Sequence, residues 1–163
     1  RTLGAGRVEV VCASMDFNRT GGTVYDRTTI IGLRTEGGLI GSILQDVVTS
    51  PPIKTLRVQG TDGFLEWYVN YEPNSDAIVY GRPEEEPIVK RFPKTRAADF
   101  LPEIDDVAHL LEVPTSNSPN LLDYGIESAL VVAAAHRSAA VGGSIQIDYS
   151  KGPDLASLKR VGP

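Results

Sequence analysis

The chain is poor in the residues that build disulfides and metal centres. It has a single cysteine, Cys12, and two histidines, His109 and His136, among 163 residues. One cysteine cannot pair within the chain, and these three side chains form no recognisable set of zinc ligands. Because Cys12 lies inside a predicted strand, we expect a buried thiol that packs as a small hydrophobe. The sequence therefore predicts no disulfide and no metal site, and its cysteine usage favours a reducing, cytoplasmic compartment.

Long apolar runs and an excess of basic charge are also missing. The chain has 16 Lys and Arg against 21 Asp and Glu, a net charge of -5, which argues against a nucleic-acid-binding groove. The longest apolar stretch, residues 121–141, is interrupted by charged side chains, so it predicts a core helix rather than a membrane span. Residues 1–12 lack the basic and then apolar pattern of a signal peptide. We expect neither a nucleic acid nor a membrane as a partner.

Motifs of several common enzyme classes are missing as well. The sequence has no Walker loop, no H-E-x-x-H pair and no G-x-S-x-G elbow. The segment Thr2–Gly6 contains two glycines of a dinucleotide-binding loop, but Glu9 stands where the third glycine belongs. A strand is predicted after this segment, where the motif requires a helix. We therefore expect a loop with no cofactor contact.

Turn signals divide the first part of the chain into short strands. Clusters of glycine, proline and asparagine separate segments rich in β-branched and aromatic residues. The predicted strands are Val8–Met15, Thr23–Leu33, Leu39–Val48, Lys54–Gln59, Phe64–Asn70, Ala77–Tyr80, Ile88–Phe92 and, near the end, Ser144–Tyr149. Short connections imply antiparallel neighbours. Asp62-Gly63 predicts a tight hairpin turn with positive φ.

Two helices are predicted after most of the strands. The first spans about Asp99–Glu112, with Asp99 as its N-cap and an apolar stripe along one side. The second starts after Ser118-Pro119 and stops at Gly142-Gly143. The predicted fold class is α+β, a mostly antiparallel open sheet with two main helices on one face and the other face free to meet water or another protein. Residues 1–150 are predicted to form this domain, and residues 151–163 a polar tail.

Two cationic positions are candidates for ligand contact. Lys94 and Arg96 precede the N-terminus of the first helix, where backbone amides and the helix dipole favour an anion. An ion pair with a neighbouring acidic residue is an equally good interpretation of these two side chains. Lys54 ends a loop after Pro51-Pro52 that could reach into a cleft.

The order of several segments resembles the C-terminal domain of the Gfo/Idh/MocA oxidoreductases. These segments are Gly60–Glu66, Lys94–Ile104, Gly125–Leu130, Ala134–Ser138 and Gly143–Ile147, and the likeness covers nearly all of residues 7–149. The resemblance implies an α+β domain whose open sheet face forms the contacts of a homo-oligomer. It also implies NAD or NADP as the cofactor of the full-length enzyme, bound by an N-terminal Rossmann domain that would precede Arg1.

The same resemblance implies that the catalytic groups lie outside this chain. The family's catalytic lysine belongs to the nucleotide domain, and its Asp-x-x-x-His pair lies on a helix before the first strand of this domain. No residue here therefore receives a catalytic, cofactor-binding or metal-binding role. The domain would instead contact a small polar substrate such as a sugar, a cyclitol or a related polyol. By analogy, the contact residues are Asp46, Lys54, Thr95 and Arg96.

Two other functions remain open at this point. A stand-alone assembly or binding module could keep the same sheet without catalysis. A small-ligand carrier could use the helix entrance Lys94–Asp99 to hold an anion.

Overall fold

The computed structural model describes residues 6–95, 97–114 and 118–162. The chain divides into two compact units. The first unit contains residues 1–48 and 117–163, and the second contains residues 49–116. Each unit has its own antiparallel sheet.

Nine strands and two α-helices form within the described residues. The strands are β1 (Val8–Asn18), β2 (Tyr25–Thr35), β3 (Ile40–Asp46), β4 (Thr55–Gln59), β5 (Phe64–Glu72), β6 (Ser75–Gly81), β7 (Ile88–Pro93), β8 (Ile145–Ile147) and β9 (Leu158–Arg160). The helices are α1 (Leu101–Glu112) and α2 (Leu122–Val141), and short 3-10 turns cover Ala97–Asp99, Tyr149–Lys151 and Leu155–Ser157. The predicted α+β class with antiparallel strands is confirmed. The strands form two sheets rather than one.

The first sheet has the strand order β3-β2-β1-β8-β9, and α2 packs on one of its faces. The long strands β1 and β2 pair with Ala13 opposite Ile31 and Cys12 opposite Gly32. Because side chains alternate along a strand, every second residue of β1 faces α2. The buried apolar residues of this core are Val11, Ile31, Leu130, Ala134, Ala135, Ile145, Ile147 and Leu158.

Small residues on one side of helix α2 allow it to pack closely against the first sheet. Ala134, Ala135 and Ser138 are all fully buried, and they form the side of α2 that contacts the sheet. The helix ends where the sequence predicts, because Gly142 adopts the left-handed conformation with φ 63° and its N–H donates to the Ser138 carbonyl at 2.9 Å. It begins at Leu122, and Ser118 caps the preceding turn by accepting a hydrogen bond from the Asn120 amide at 3.0 Å.

Two expectations about the first unit were wrong. Cys12 is exposed, because the alternation that turns Val11 and Ala13 toward α2 turns Cys12 to the opposite face. The predicted polar tail contains β9, which pairs with β8 and buries Leu158. One apolar residue in a three-residue strand is too little for the period of a strand to be visible in the sequence.

The second sheet is a meander in the order β4-β5-β6-β7. The predicted hairpin joins β4 to β5, and the Gly60 N–H donates to the Gly63 carbonyl at 2.8 Å. Gly63 does not have the positive φ that we predicted for this turn. A glycine is required there for another reason, since a Cβ on Gly63 would lie 2.3 Å from the carbonyl oxygen of Gly81.

Helix α1 belongs to the second unit and begins at Leu101, eight residues after the end of β7. Its N-cap is Phe100 and not Asp99 as predicted, and proline occupies its first turn as expected. The apolar stripe is present, but none of the residues of α1 is buried. Ile104 and Leu111 are 62% and 80% exposed, so the stripe faces solvent within this chain.

Candidate functional site

Three of the four predicted contact residues are described by the structure, and they lie at different positions in the fold. Asp46 is the last residue of β3 in the first unit, and its Oδ1 accepts a hydrogen bond from the Val48 amide at 2.8 Å. Lys54 directly precedes β4, and Thr95 follows two residues after the end of β7, both in the second unit. Arg96 lies outside the described residues. The structure therefore describes three of these predicted positions.

Two lysines of this region stabilise the negative charge of one carboxylate, that of Asp76 at the start of β6. The ammonium of Lys94 lies 3.0 Å from Asp76 Oδ1, and both side chains are largely shielded from solvent. The positive charge of Lys54 also stabilises the carboxylate of Asp76. We call Lys54, Asp76 and Lys94 the lysine–aspartate cluster. It marks the end of the second sheet where β4 begins and β7 ends.

Two asparagines with positive φ shape the backbone next to the lysine–aspartate cluster. Asn70 and Asn74 have positive φ values of 54° and 60°, a conformation that asparagine tolerates better than most residues. The Asn70 N–H donates to Asp76 Oδ1 at 2.8 Å, and the Asn74 carbonyl accepts from the Lys94 N–H at 2.8 Å. The turn between β5 and β6 therefore positions both members of the ion pair.

The surroundings of Asp76 keep it ionised. Partial burial is the largest contribution and by itself would raise the pKa of Asp76. The hydrogen bonds from the Asn70 amide and the Lys94 ammonium, together with the charges of Lys94 and Lys54, outweigh burial and hold the pKa below its ordinary value. Asp76 therefore stays negatively charged at neutral pH, in an ion pair with Lys94.

This geometry bears on the two interpretations of Lys94. The lysine forms the ion pair that we weighed against an anion site. At the helix entrance, the Ala98 N–H donates to the backbone and side-chain oxygens of Thr95 at 3.0 and 3.4 Å. The ion pair is thus observed for Lys94, and the Ala98 amide of the entrance is already bonded within the chain.

Sequence reasoning missed Asp76, the central residue of the cluster. The sequence predicts this strand only from Ala77, whereas β6 begins at Ser75. The paired strands β6 and β7 bring Asp76 opposite Phe92 and thereby close to Lys94. Asn70 and Asn74, which both have positive φ, are local signals of the turn that could have pointed to Asp76.

The described residues give little support for a metal site, a dinucleotide-binding loop or a membrane-spanning helix. In that part of the chain, no group of three or more His, Cys, Asp and Glu residues is placed to hold a metal ion. Gly6, the last residue of the glycine-containing segment, is followed by β1, while Thr2 to Ala5 lie outside the described residues. Neither described helix has the length and apolar character needed to cross a membrane.

The chain was then compared with known proteins. No known sequence family and no curated protein matches it. Solved structures do match, among them three at 14–17% identity, and show the fold. An aldose-aldose oxidoreductase from Caulobacter crescentus, complexed with glycerol, aligns with a TM-score of 0.71 at 17% identity over 90% of this chain and 43% of its own.

Two further structures share the fold. An inositol dehydrogenase homolog from Azotobacter vinelandii, complexed with NAD+, aligns with a TM-score of 0.61 at 16% identity over 86% of this chain and 43% of its own. A levoglucosan dehydrogenase in complex with NADH and levoglucosan aligns with a TM-score of 0.63 at 14% identity over 86% of this chain and 45% of its own. The chain shares the fold of a part of each of these three proteins. The chain spans less than half of their lengths.

Proposed function

We propose that the chain is the substrate-binding and oligomerisation domain of an NAD(P)-dependent oxidoreductase that acts on a sugar, a cyclitol or a similar polyol. The observation that carries this proposal is the likeness of 86–90% of the chain to parts of three sugar or inositol oxidoreductases. In this proposal, cofactor binding and hydride transfer belong to a Rossmann domain of the parent enzyme outside this chain. The parent would be cytoplasmic, a compartment that a single exposed cysteine favours.

The lysine–aspartate cluster gives this proposal a chemical basis. A polyol presents hydroxyl groups that both donate and accept hydrogen bonds. Lys54 can donate to a hydroxyl oxygen, and the ionised Asp76 can accept from a hydroxyl proton. We propose that Lys54 and Thr95 contact the substrate from this end of the second sheet. The roles of Asp46 and Arg96 as substrate contacts stay predictions from the resemblance.

Cofactor titration tests whether the dinucleotide site lies outside this chain. Calorimetry of the 163-residue chain with NADH and with NADPH should show no detectable binding, because the proposal places the dinucleotide site in another domain. Micromolar binding of either compound would mean that the chain carries its own dinucleotide site. The proposed role would then be wrong.

Polyol titration tests the proposed substrate contacts. In two-dimensional NMR spectra, millimolar inositol or levoglucosan should shift the backbone amides of Lys54, Asp76 and Thr95. Lys54→Ala should reduce these shifts severalfold, whereas Lys151→Ala, a matched change of an exposed lysine in the first unit, should not. Shifts confined to other residues would contradict the proposed location of the site.

A further inference from the structure

One face of the second sheet places a tryptophan beside charged side chains. Cross-strand partners lie on the same face of a sheet, and so do residues two positions apart along a strand. One row of partners on this face consists of Leu56, Trp67, Ile78 and Lys90. We call the face that carries this row the tryptophan face.

The lysine–aspartate cluster belongs to the next row of the tryptophan face. Asp76 precedes Ile78 by two residues, and Lys54 precedes Leu56 by two residues. The Lys54 carbonyl accepts a hydrogen bond from the Val69 N–H at 3.0 Å, so the pairing of β4 with β5 continues through Lys54. The cluster and the tryptophan therefore lie in neighbouring rows of one surface.

This end of the tryptophan face has an excess of positive charge. Lys54, Lys90 and Lys94 supply three ammonium groups, and Asp76 is the one carboxylate among these four side chains. Asp76 is in an ion pair with Lys94. Lys54 and Lys90 are exposed, and neither forms an ion pair with any other residue that the structure describes. Two ammonium groups are thus available to an anion.

Other charges of the second unit are arranged differently. On the opposite face, Arg57 and Arg91 form ion pairs with Glu66 and Glu72. The turns at the other end of the sheet are acidic, since only one arginine stands among four carboxylates there. These residues are Asp62, Arg82, Glu84, Glu85 and Glu86. An anion is therefore attracted to the end with the lysines and repelled from the acidic end.

Trp67 provides an apolar surface next to these ammonium groups. Its side chain is partly exposed, and Leu56 beside it is 39% exposed. Ligand sites typically combine aromatic and apolar side chains with a few polar groups that fix the orientation of the ligand. A sugar ring has apolar C–H groups that can pack on an indole, and hydroxyl groups that need hydrogen-bond partners. The tryptophan face offers both kinds of contact.

From this arrangement we infer that the ligand of the lysine–aspartate cluster is an anionic sugar, whose ring carries a carboxylate or a phosphate. Its acid group binds the ammonium of Lys54, and its ring packs against Trp67. Asp76 accepts a hydrogen bond from a ring hydroxyl. This inference rests on the proposed function, because it specifies the class of substrate that binds at the same site.

Tryptophan fluorescence tests the inference directly, because Trp67 is the only tryptophan in the sequence. The chain is titrated at neutral pH and low salt with glucose, glucuronate and glucose 6-phosphate, three sugars that differ in one exocyclic group. Glucuronate, glucose 6-phosphate or both should bind at least about tenfold more tightly than glucose. Comparison of the two acidic sugars shows which acid group the site prefers. Backbone amide shifts of Lys54 and Asp76 in NMR spectra give a second measurement of the same binding.

Variants of Lys54 test its contact with the acid group. Lys54→Gln should lower the affinity for the preferred acidic sugar to about that for glucose, whereas Lys54→Arg should keep most of the preference, because it keeps the charge. Lys151→Gln, the same change at an exposed lysine of the first unit, should leave all affinities unchanged. Added salt should weaken the binding of the acidic sugar more than that of glucose.

The contrary results are distinguishable from failure of the proposed function. Equal affinities for glucose and both acidic sugars would contradict this inference, and the proposed polyol-binding role would stand. A preference that survives Lys54→Gln would contradict the assignment of the acid group to Lys54. If none of the three sugars changes the fluorescence or the amide shifts, both this inference and the proposed substrate contacts are wrong. Binding of NADH would contradict the proposed function alone.

Discussion

Ser138 shows how one hydroxyl can join three elements of the first unit. It is fully buried on α2, and its Oγ accepts a hydrogen bond from the Ala13 amide of β1 at 2.8 Å. The same hydroxyl donates to the Gly143 carbonyl at 2.7 Å, in the turn that leads to β8. Within a run of alanines, nothing in the sequence distinguishes this serine from a small packing residue.

We expect Ser138→Ala to destabilise the chain by about 1–3 kcal/mol. The substitution keeps the size of the side chain but leaves the Ala13 amide and the Gly143 carbonyl without this partner in a buried region. Urea denaturation followed by circular dichroism measures the change. Ser128→Ala is the matched control, because that exposed hydroxyl donates to the Tyr124 carbonyl of its own helix, and its effect should stay within about 0.5 kcal/mol. Equal effects of the two substitutions would contradict the proposed role of the buried hydroxyl.

At the scale of elements, the end strand of the first sheet is held by an ion pair as well as by its backbone. Lys159 of β9 lies 2.8 Å from Asp148, which follows β8. The hydrogen bond from Lys159, and after it the hydrogen bond from the Ser150 hydroxyl, lower the pKa of Asp148 to about 2. Three paired residues make a short strand, so the ion pair adds to a limited number of backbone hydrogen bonds.

The lowered pKa of Asp148 predicts a pH dependence of stability. In the unfolded chain the pKa of an aspartate is about 3.9. The stabilising contribution is therefore complete above about pH 4 and is lost as the pH falls toward 2, because the folded state must then take up a proton. The urea midpoint of the unchanged chain should exceed that of Asp148→Asn at pH 6, and the difference should shrink at pH 2.5. A difference that is the same at both pH values would contradict this assignment.

The second sheet and α1 differ from the core of the first unit, because much of their apolar surface stays exposed. Both have apolar surface that their own unit does not bury, as the exposure of Ile88 and Leu111 shows. Amphipathic patterns of this kind predict which side chains share a face. They do not tell which partner covers that face.

At the scale of the whole molecule, the chain consists of two units with separate hydrogen-bonded sheets. The segment that forms the second unit is inserted between β3 and α2 of the first. The first unit contains the helix-covered core, while the second contains the lysine–aspartate cluster. The proposed functions of the chain therefore lie mainly in the unit with the smaller buried core.

The positions of most strands along the chain, their antiparallel pairing and the end of α2 at Gly142 were determined by the sequence alone. These features depend on turn residues, side-chain alternation and a left-handed glycine, all of which act over a few neighbouring residues. The resemblance of ordered segments likewise predicted the fold that the solved structures share.

Only the tertiary structure decided which face of β1 carries Cys12, that β9 completes the first sheet, and that Asp76 binds Lys94. It also divided the strands into two sheets. Each of these facts depends on which distant segments become neighbours, and burial and ion pairing exist only after those segments have met. Local sequence patterns do not show which distant segments pack together. Asp76, the central residue of the candidate site, could therefore be identified only in the folded chain.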